Sequence, residues 1–152
     1  MENLLKELSE KGLTLGSIES MTGGLFAAKF CEVPGASKVF KGSVVTYATE
    51  IKEKVVGVRE QTINDFGVVS EEVACEMAEC GRKLLNVDIC VAVTGNAGPT
   101  CEPGGKPAGF FCVAVATKDG IVTRAFLMNE KRNIVRNVAV LAMRDMCYLK
   151  NI

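Results

Sequence analysis

Apolar positions along the chain recur with two different periods, and each period predicts one type of secondary structure. Helical spacing predicts helices over 2–11, 22–31, 49–56, 61–66, 70–85 and 130–149. Apolar runs of strand length predict strands over 13–19, 42–47, 88–94, 108–117 and 121–128. Because strands and helices alternate along most of the chain, we predict a three-layer α/β/α sandwich.

The strand patterns also indicate how the sheet is paired. Residues 88–94 form a continuous apolar run, typical of a strand with both faces covered in a parallel sheet. Asp119-Gly120 separates the last two strands and is a strong hairpin signal, so at least one pair must be antiparallel. We therefore expect a mixed, mostly parallel sheet in a single domain over 1–152. The last helix is expected to face the core through Ile134, Val138, Leu141 and Met146.

Composition narrows the classes of function. The formal net charge is zero and the pI is about 6.3, which argues against a general nucleic-acid binder. No apolar run is long enough to span a bilayer, and the N-terminus does not resemble a signal peptide, so we expect a cytoplasmic protein with no membrane partner. The chain has seven cysteines, no CxxC pair and no histidine, so a zinc site would be unusual.

Three segments that carry polar or glycine residues follow three of the predicted strands, at 20–24, 47–52 and 94–99. Because ligands of open α/β sheets bind at the carboxyl ends of the strands, we expect these segments to converge. If Ser20 is a nucleophile, it needs a base, and the absence of histidine excludes a Ser-His-Asp arrangement. Lysine is the obvious remaining type of base, and Lys52 is placed to point back over its strand.

The first segment allows two interpretations. Gly23 and Gly24 at the start of a helix could leave backbone N–H groups open for a phosphate or an oxyanion. Alternatively, Ser20 or Thr22 simply caps the helix.

The local patterns of the other segments also allow more than one interpretation. Tyr47 could relay a proton, whereas Lys52 could be an ordinary surface charge. The glycine-rich loop at 95–99 could approach a ligand with its backbone, or could need glycine only for its turn. Arg132 and Arg136 lie on one helical face and could grip a phosphate or remain solvated.

Five segments stand out in order along the chain: Glu19–Gly24, Thr46–Lys52, Gly67–Glu71, Thr94–Pro99 with the later Lys106–Gly109, and Arg132–Arg136. Taken together, they resemble the C-terminal domain of the CinA family, which includes stand-alone nicotinamide-nucleotide amidases. The resemblance covers essentially the whole chain, with Met21 where the family usually has cysteine and Asn96 where it has an apolar residue.

The resemblance implies an α/β/α sandwich that hydrolyses the carboxamide of nicotinamide mononucleotide to nicotinate mononucleotide and ammonia. It implies that Ser20 is the nucleophile, that Lys52 is the general base assisted by Tyr47, and that no metal or cofactor is needed. Backbone N–H groups near Gly23 or in the Gly95 loop would stabilise the oxyanion. The candidate substrate-binding residues are Thr22, Gly23, Gly24, Thr94, Gly95, Ala97, Gly98 and Arg136.

The expected partner is a small nucleotide, and we expect a homo-oligomer because most soluble oligomeric proteins associate with copies of themselves. A second hypothesis remains open from the sequence. The chain could be a catalytically silent module of the same family that binds a nucleotide or regulates another process.

Overall fold

A single five-stranded sheet forms the centre of the fold, with the strand order β2-β1-β3-β4-β5. The computed structural model describes residues 1–101 and 104–148. The strands are β1 (Leu15–Glu19), β2 (Phe40–Val45), β3 (Ile89–Gly95), β4 (Phe110–Ala116) and β5 (Ile121–Leu127). The helices are α1 (Glu2–Glu10), α2 (Leu25–Cys31), α3 (Thr49–Ile51), α4 (Glu60–Phe66), α5 (Glu71–Leu85) and α6 (Arg132–Met146), with a 3-10 turn at Ala36–Lys38 and a π-helix at Lys52–Val56.

The sheet is mixed, as expected, but only one half of it is parallel. Strand β1 pairs in parallel with β2 and β3, whereas β3–β4 and β4–β5 are antiparallel. The hairpin between β4 and β5 is present at the expected turn, where the Thr117 N–H donates to the Gly120 carbonyl. The second antiparallel pair arises because β3 and β4 are joined without a crossover helix among the described residues.

The two faces of the sheet carry separate hydrophobic cores, and this confirms the three-layer architecture. On one face, side chains such as Leu15, Val91 and Val93 pack with α1, α2 and α6. On the other face, Ile18 and Ala92 pack with α5. Successive strand residues alternate between the two cores, as the pleat of a buried strand requires.

Helix α6 buries Met146 and packs Val138 partly against the core, as predicted, but the other two predicted positions face outward. Ile134 and Leu141 are exposed, and the buried residues of this helix are Val135, Ala139, Val140, Met143 and Met146. The helix ends at Met146, earlier than the predicted end, and residue 149 itself lies outside the described residues. The longest described helices, α5 and α6, have 15 residues each, and no helix in the described part of the chain could span a bilayer.

Candidate active site

Ser20 and Lys52 meet at the carboxyl end of the parallel half of the sheet. Ser20 follows β1 directly, and its N–H donates to the Val93 carbonyl at 3.1 Å. Lys52 Nζ lies 3.0 Å from Ser20 Oγ and donates to the Thr46 carbonyl at 2.7 Å. Ser20 is 7% exposed and Lys52 is 1% exposed. The structure therefore brings the predicted nucleophile and the predicted base into direct contact in a nearly dry site.

The surroundings of Lys52 favour its neutral form. No carboxylate within the described ranges lies within 4 Å of its ammonium group, so no opposite charge offsets the loss of hydration. Burial consequently lowers the pKa of Lys52 from 10.5 to about 8. A neutral amine at Nζ can accept the proton of the Ser20 hydroxyl, and the protonated amine can later donate it back.

The π-helix that begins at Lys52 fixes the position of this side chain. The Lys52 carbonyl accepts hydrogen bonds from the N–H groups of Gly57 and Val58, both at 3.0 Å. Gly57 ends the turn with a φ of +91°, a conformation that glycine adopts without strain. Val56 and Val58 are both buried in the α5-side core. Short π-helices are rare and occur frequently at functional sites.

Glu19 organises the turn that presents Ser20, a role that the sequence analysis missed. Its carboxylate is fully buried and accepts hydrogen bonds from the N–H groups of Gly24, Phe26 and Ala27 at 3.1, 3.0 and 2.9 Å. The Ser43 hydroxyl from β2 donates to the same carboxylate at 3.3 Å. A negative charge is stabilised at a helix N-terminus, so a glutamate placed just before a helix was the available signal.

The protein itself therefore takes the two N–H groups that we expected to bind an anion, one through Glu19 and one through the Ser20 carbonyl. The Gly24 N–H donates to Glu19, and the Gly23 N–H donates to the Ser20 carbonyl at 3.0 Å. The expectation that these two N–H groups are open is wrong, because the protein supplies its own acceptors. In the described structure, the N–H groups of Met21 and Thr22 have no acceptor. In a serine hydrolase, the N–H that follows the nucleophile is a common oxyanion donor.

Neither hydroxyl of the serine turn caps α2, so this alternative from the sequence is also wrong. The residue at the N-cap position is Gly24, which has no side chain, and Glu19 is the residue that accepts from the first N–H groups of the helix. The Thr22 hydroxyl is buried and, among the described residues, has no hydrogen-bond partner. Ser20 is instead held against Lys52.

Arg136 supports the serine turn from α6. Its Nε donates to the Met21 carbonyl at 3.2 Å, and its Nη2 donates to the Thr22 carbonyl at 2.7 Å. The sequence analysis treated Arg136 as a binder of the nucleotide. The structure directs two of its donors to the backbone of the turn, so its contacts are those of a positioning residue.

Arg132, one turn before Arg136, connects the other two segments. Its Nη1 donates to the Gly98 carbonyl at 2.7 Å, and its Nη2 donates to the Tyr47 hydroxyl at 2.8 Å. Tyr47 is 62% exposed, and its hydroxyl is bonded to Arg132 and not to Lys52. The expected direct assistance of Lys52 by Tyr47 is therefore absent from the described hydrogen bonds.

Most groups of the third segment, 94–99, make contacts within the protein. The Thr94 hydroxyl is buried and donates to the Val68 carbonyl at 2.8 Å, so it ties β3 to the segment before α5. Ala97 is buried. The Gly98 carbonyl accepts from Arg132, and its N–H donates to Asn96. A role of Thr94, Ala97 and Gly98 in binding substrate stays a prediction.

Gly95 is required by a close approach between neighbours. A Cβ at this position would lie 2.4 Å from Met21 Sδ and 2.4 Å from Phe111 Cβ. The Met21 side chain therefore occupies the space that any side chain at position 95 would need. Only the backbone of Gly95 is left to face a ligand.

Asn96 fastens the long loop that follows β3. Its Nδ2 donates to the Thr100 carbonyl at 2.9 Å and to the Lys106 carbonyl at 3.1 Å. Its Oδ1 accepts from the Gly98 N–H at 2.8 Å. An apolar residue at this position could make none of these side-chain bonds.

A cleft of about 760 Å³ opens on the Lys52 side of the sheet. This volume lies within the usual range for small-molecule sites. The cleft is connected to Ser20 through β3, because the Ser20 N–H donates to the Val93 carbonyl and the next residue, Thr94, donates to the Val68 carbonyl in the wall. Its lining includes Thr49, Phe66, Val68, Gly95, Asn96 and Lys106.

Comparison with known proteins gives a consistent result for the whole chain. The model of the CinA C-terminal domain matches residues 1–149. A CinA-like protein from Fervidobacterium nodosum is 41% identical over 147 residues, which cover 96% of this chain and 36% of that protein. A CinA-like protein from Flavobacterium psychrophilum is 40% identical over 149 residues, again with 96% of this chain and 36% of that protein. The chain thus spans little more than a third of the length of these relatives.

Solved structures agree with this assignment. The crystal structure of a CinA superfamily protein from Enterobacter cloacae superposes with a TM-score of 0.95 at 28% identity, covering 99% of this chain and 89% of that chain. The competence/damage inducible protein CihA from Agrobacterium tumefaciens superposes with a TM-score of 0.91 at 30% identity, covering 95% and 89% of the two chains.

Proposed function

The chain belongs to the CinA C-terminal domain family, and from this membership and the geometry of its site we propose that it is a serine amidase. The proposed reaction is hydrolysis of the carboxamide of nicotinamide mononucleotide to nicotinate mononucleotide and ammonia. The observation that carries the proposal is the buried contact of 3.0 Å between Lys52 Nζ and Ser20 Oγ. The choice of this amide rests on the resemblance of the sequence motifs to those of nicotinamide-nucleotide amidases.

The first half of the reaction uses the lysine as a base. Neutral Lys52 Nζ accepts the proton of the Ser20 hydroxyl while Oγ attacks the carboxamide carbon. The Thr46 carbonyl, 2.7 Å from Nζ, holds the amine in place during the transfer. Negative charge develops on the carboxamide oxygen, and the N–H groups of Met21 and Thr22 are the donors free to stabilise it.

The second half returns the enzyme to its starting state. The protonated Lys52 gives its proton to the departing nitrogen, which leaves as ammonia, and an ester remains on Ser20. Lys52, now neutral, accepts a proton from water as the water attacks the ester carbon. Nicotinate mononucleotide leaves, and the proton returns from Nζ to Oγ. One water is consumed, and no redox change takes place.

Two charged side chains, those of Glu19 and Arg136, hold the serine turn without taking part in proton transfer. Glu19 fixes the turn through the N–H groups of α2, and Arg136 fixes it through the carbonyls of Met21 and Thr22. In the described structure the Met21 and Thr22 N–H groups of this turn stay unbonded, and the Thr22 N–H belongs to the peptide unit whose carbonyl Arg136 holds. Preorganised donors of this type usually make a large contribution to catalysis.

The substrate is tested by supplying a graded set of amides to the purified protein and measuring ammonia. The set is nicotinamide mononucleotide, nicotinamide riboside and free nicotinamide. We expect hydrolysis of the nucleotide with loss of efficiency as the phosphate and then the ribose are removed. Saturable binding of the nucleotide without ammonia release would instead support the catalytically silent module.

A further inference from the structure

A nucleotide substrate brings a phosphate, and the arginine expected to bind it is already occupied. Arg136 directs Nε and Nη2 to two backbone carbonyls of the serine turn. Arg132 likewise directs Nη1 and Nη2 to Gly98 and Tyr47. The cleft beside the catalytic pair contains a different cation, Lys106.

Lys106 is held at the cleft by its backbone while its charge stays available. Its carbonyl accepts the hydrogen bond from Asn96 Nδ2 at 3.1 Å, which fixes this part of the loop against β3. Its ammonium nitrogen lies 5.2 Å from the centroid of the Phe110 ring. Within residues 1–101 and 104–148, no carboxylate comes within 4 Å of it. An exposed cation–π contact is weak enough for a phosphate to compete with it.

Ser20 and Lys106 both contact the carboxyl end of β3. The Ser20 N–H donates to the Val93 carbonyl at 3.1 Å. Gly95 and Asn96 follow Val93 along the chain and line the cleft. The Lys106 carbonyl accepts from Asn96 in the same cleft. A pyridine ring with its carboxamide at Ser20 would therefore place its ribose phosphate in the part of the cleft that contains Lys106.

We infer that Lys106 binds the 5′-phosphate of the substrate, with the carboxamide of the same molecule at Ser20. The inference rests on the proposed function, and it adds the residue that distinguishes a nucleotide from a nucleoside. Phe66, 51% exposed, lines the same cleft and provides an apolar surface for the pyridine ring. The site takes a mononucleotide amide whose phosphate is a monoester dianion.

Calorimetric titration tests the inference in a Ser20→Ala background, where binding is measured without turnover. Each protein is titrated with nicotinamide mononucleotide and with nicotinamide riboside, which lacks the phosphate. Adding Lys106→Met is expected to weaken nucleotide binding about tenfold or more, as for loss of a charged hydrogen bond, and to change riboside binding less than about twofold. Lys106→Arg keeps the cation and is expected to retain most of the nucleotide affinity.

Lys118→Met is the matched control, because it removes the same charge from the turn between β4 and β5 at the opposite end of the sheet. It is expected to leave both affinities unchanged. Raising the salt concentration should weaken nucleotide binding more in the Lys106 protein than in the Lys106→Met protein, since salt screens exposed charges. Thermal unfolding of each variant verifies that the fold is intact.

The outcomes separate this inference from the proposed function. Unchanged nucleotide binding in Lys106→Met, or an equal loss for nucleotide and riboside, would overturn the role of Lys106 while the amidase proposal stands. If the Ser20→Ala protein binds neither ligand and the unmodified protein releases no ammonia, the proposed function fails and the inference fails with it.

Discussion

The amine of Lys52 and the hydroxyl of Ser20 lie 3.0 Å apart although 32 residues separate them in the chain. Their contact exists because β1 and β2 are parallel neighbours and end at the same edge of the sheet. Ser20 follows β1. Lys52 is the first residue of the π-helix that comes after β2, and its side chain extends back to Ser20. A cation placed there without a carboxylate partner in the described structure is poised to lose its proton.

Replacing Lys52 with methionine should abolish catalysis while the fold survives. Methionine fills a similar volume without the amine, so turnover is expected to fall about 10³-fold, as for loss of a general base. The melting temperature should stay equal or rise, because the substitution removes a buried charge. Steady-state kinetics and thermal unfolding measure the two effects.

Lys54→Met is the control for this change. Lys54 is exposed in the same π-helix, so its loss removes an equal charge from the same segment without touching Ser20. It is expected to keep turnover within about twofold of the starting protein, in line with ordinary surface substitutions. Comparable losses in the two variants would mean that Lys52 acts through the local fold and not as the base.

The pH profile should report the ionisation of Lys52. Burial lowers its pKa to about 8, and only the neutral amine can accept the serine proton. We therefore expect kcat/KM to rise about tenfold per pH unit below 8 and to level off above it. A profile that is already level at pH 6 would contradict a lysine base with this pKa.

An independent readout of the same ionisation is the free energy of unfolding. Between pH 8 and 10.5 the unfolded chain keeps the lysine proton that the folded chain has lost. Stability should therefore rise with pH across this window relative to Lys52→Met, and the cost of the buried charge should be complete below pH 8. Denaturant unfolding at several pH values measures the difference between the two proteins.

Glu19→Gln should damage both stability and turnover, although Glu19 touches no reacting atom in the proposed mechanism. The glutamine amide offers one acceptor oxygen to three N–H groups and turns its own N–H donors toward the others. We expect a loss of about 2–3 kcal/mol in stability, as for unsatisfied buried groups. We also expect a fall in kcat with little change in KM.

The exposed Glu130 supplies the comparison for this substitution. Glu130→Gln makes the same chemical change at the surface before α6 and should be nearly neutral in both assays. If Glu19→Gln proved equally neutral, the buried carboxylate would not be what holds the serine turn.

Arg136→Ala should lower kcat and leave substrate discrimination unchanged. The guanidinium holds the carbonyls of Met21 and Thr22, so its loss should loosen the oxyanion donors. We expect about a tenfold fall in kcat with nicotinamide mononucleotide and a similar fall with the riboside. A selective rise of KM for the phosphorylated substrate would instead identify Arg136 as the phosphate binder and would contradict the positioning role.

Most of the architecture could be predicted from the sequence, because it depends on the spacing of apolar residues and on the residues that form turns. The alternation of strands and helices indicated three layers, and Asp119-Gly120 marked the hairpin correctly. The pairing of β3 with β4 could not be predicted, since no short turn joins them and the intervening loop gives no direction. The direction of a strand after a long loop depends on tertiary packing.

Within the site, the positions of backbone segments were easier to predict than the partners of side chains. The convergence of Ser20 and Lys52 followed from parallel topology. By contrast, Gly23 and Gly24 were expected to offer open N–H groups, and the Glu19 carboxylate takes one of them. Glycine pairs at a helix start look alike whether the anion comes from a ligand or from the protein itself.

The buried face of α6 could also be predicted only in part. Ile134 and Leu141 have helical spacing and strong hydrophobicity, yet they are exposed, while Ala139 is fully buried. A small side chain lets the helix approach the sheet closely, and hydrophobicity alone does not reveal that preference. A helix rich in apolar residues therefore leaves its buried stripe ambiguous.

The measurement that most directly tests the account is the time course of ammonia and nicotinate mononucleotide release from nicotinamide mononucleotide by the unmodified protein and by Ser20→Ala. The account predicts equal amounts of the two products from the unmodified protein, in the presence of a chelator, and none from the variant. Turnover by Ser20→Ala at an undiminished rate, or no release from folded unmodified protein, would contradict a serine amidase acting on this nucleotide.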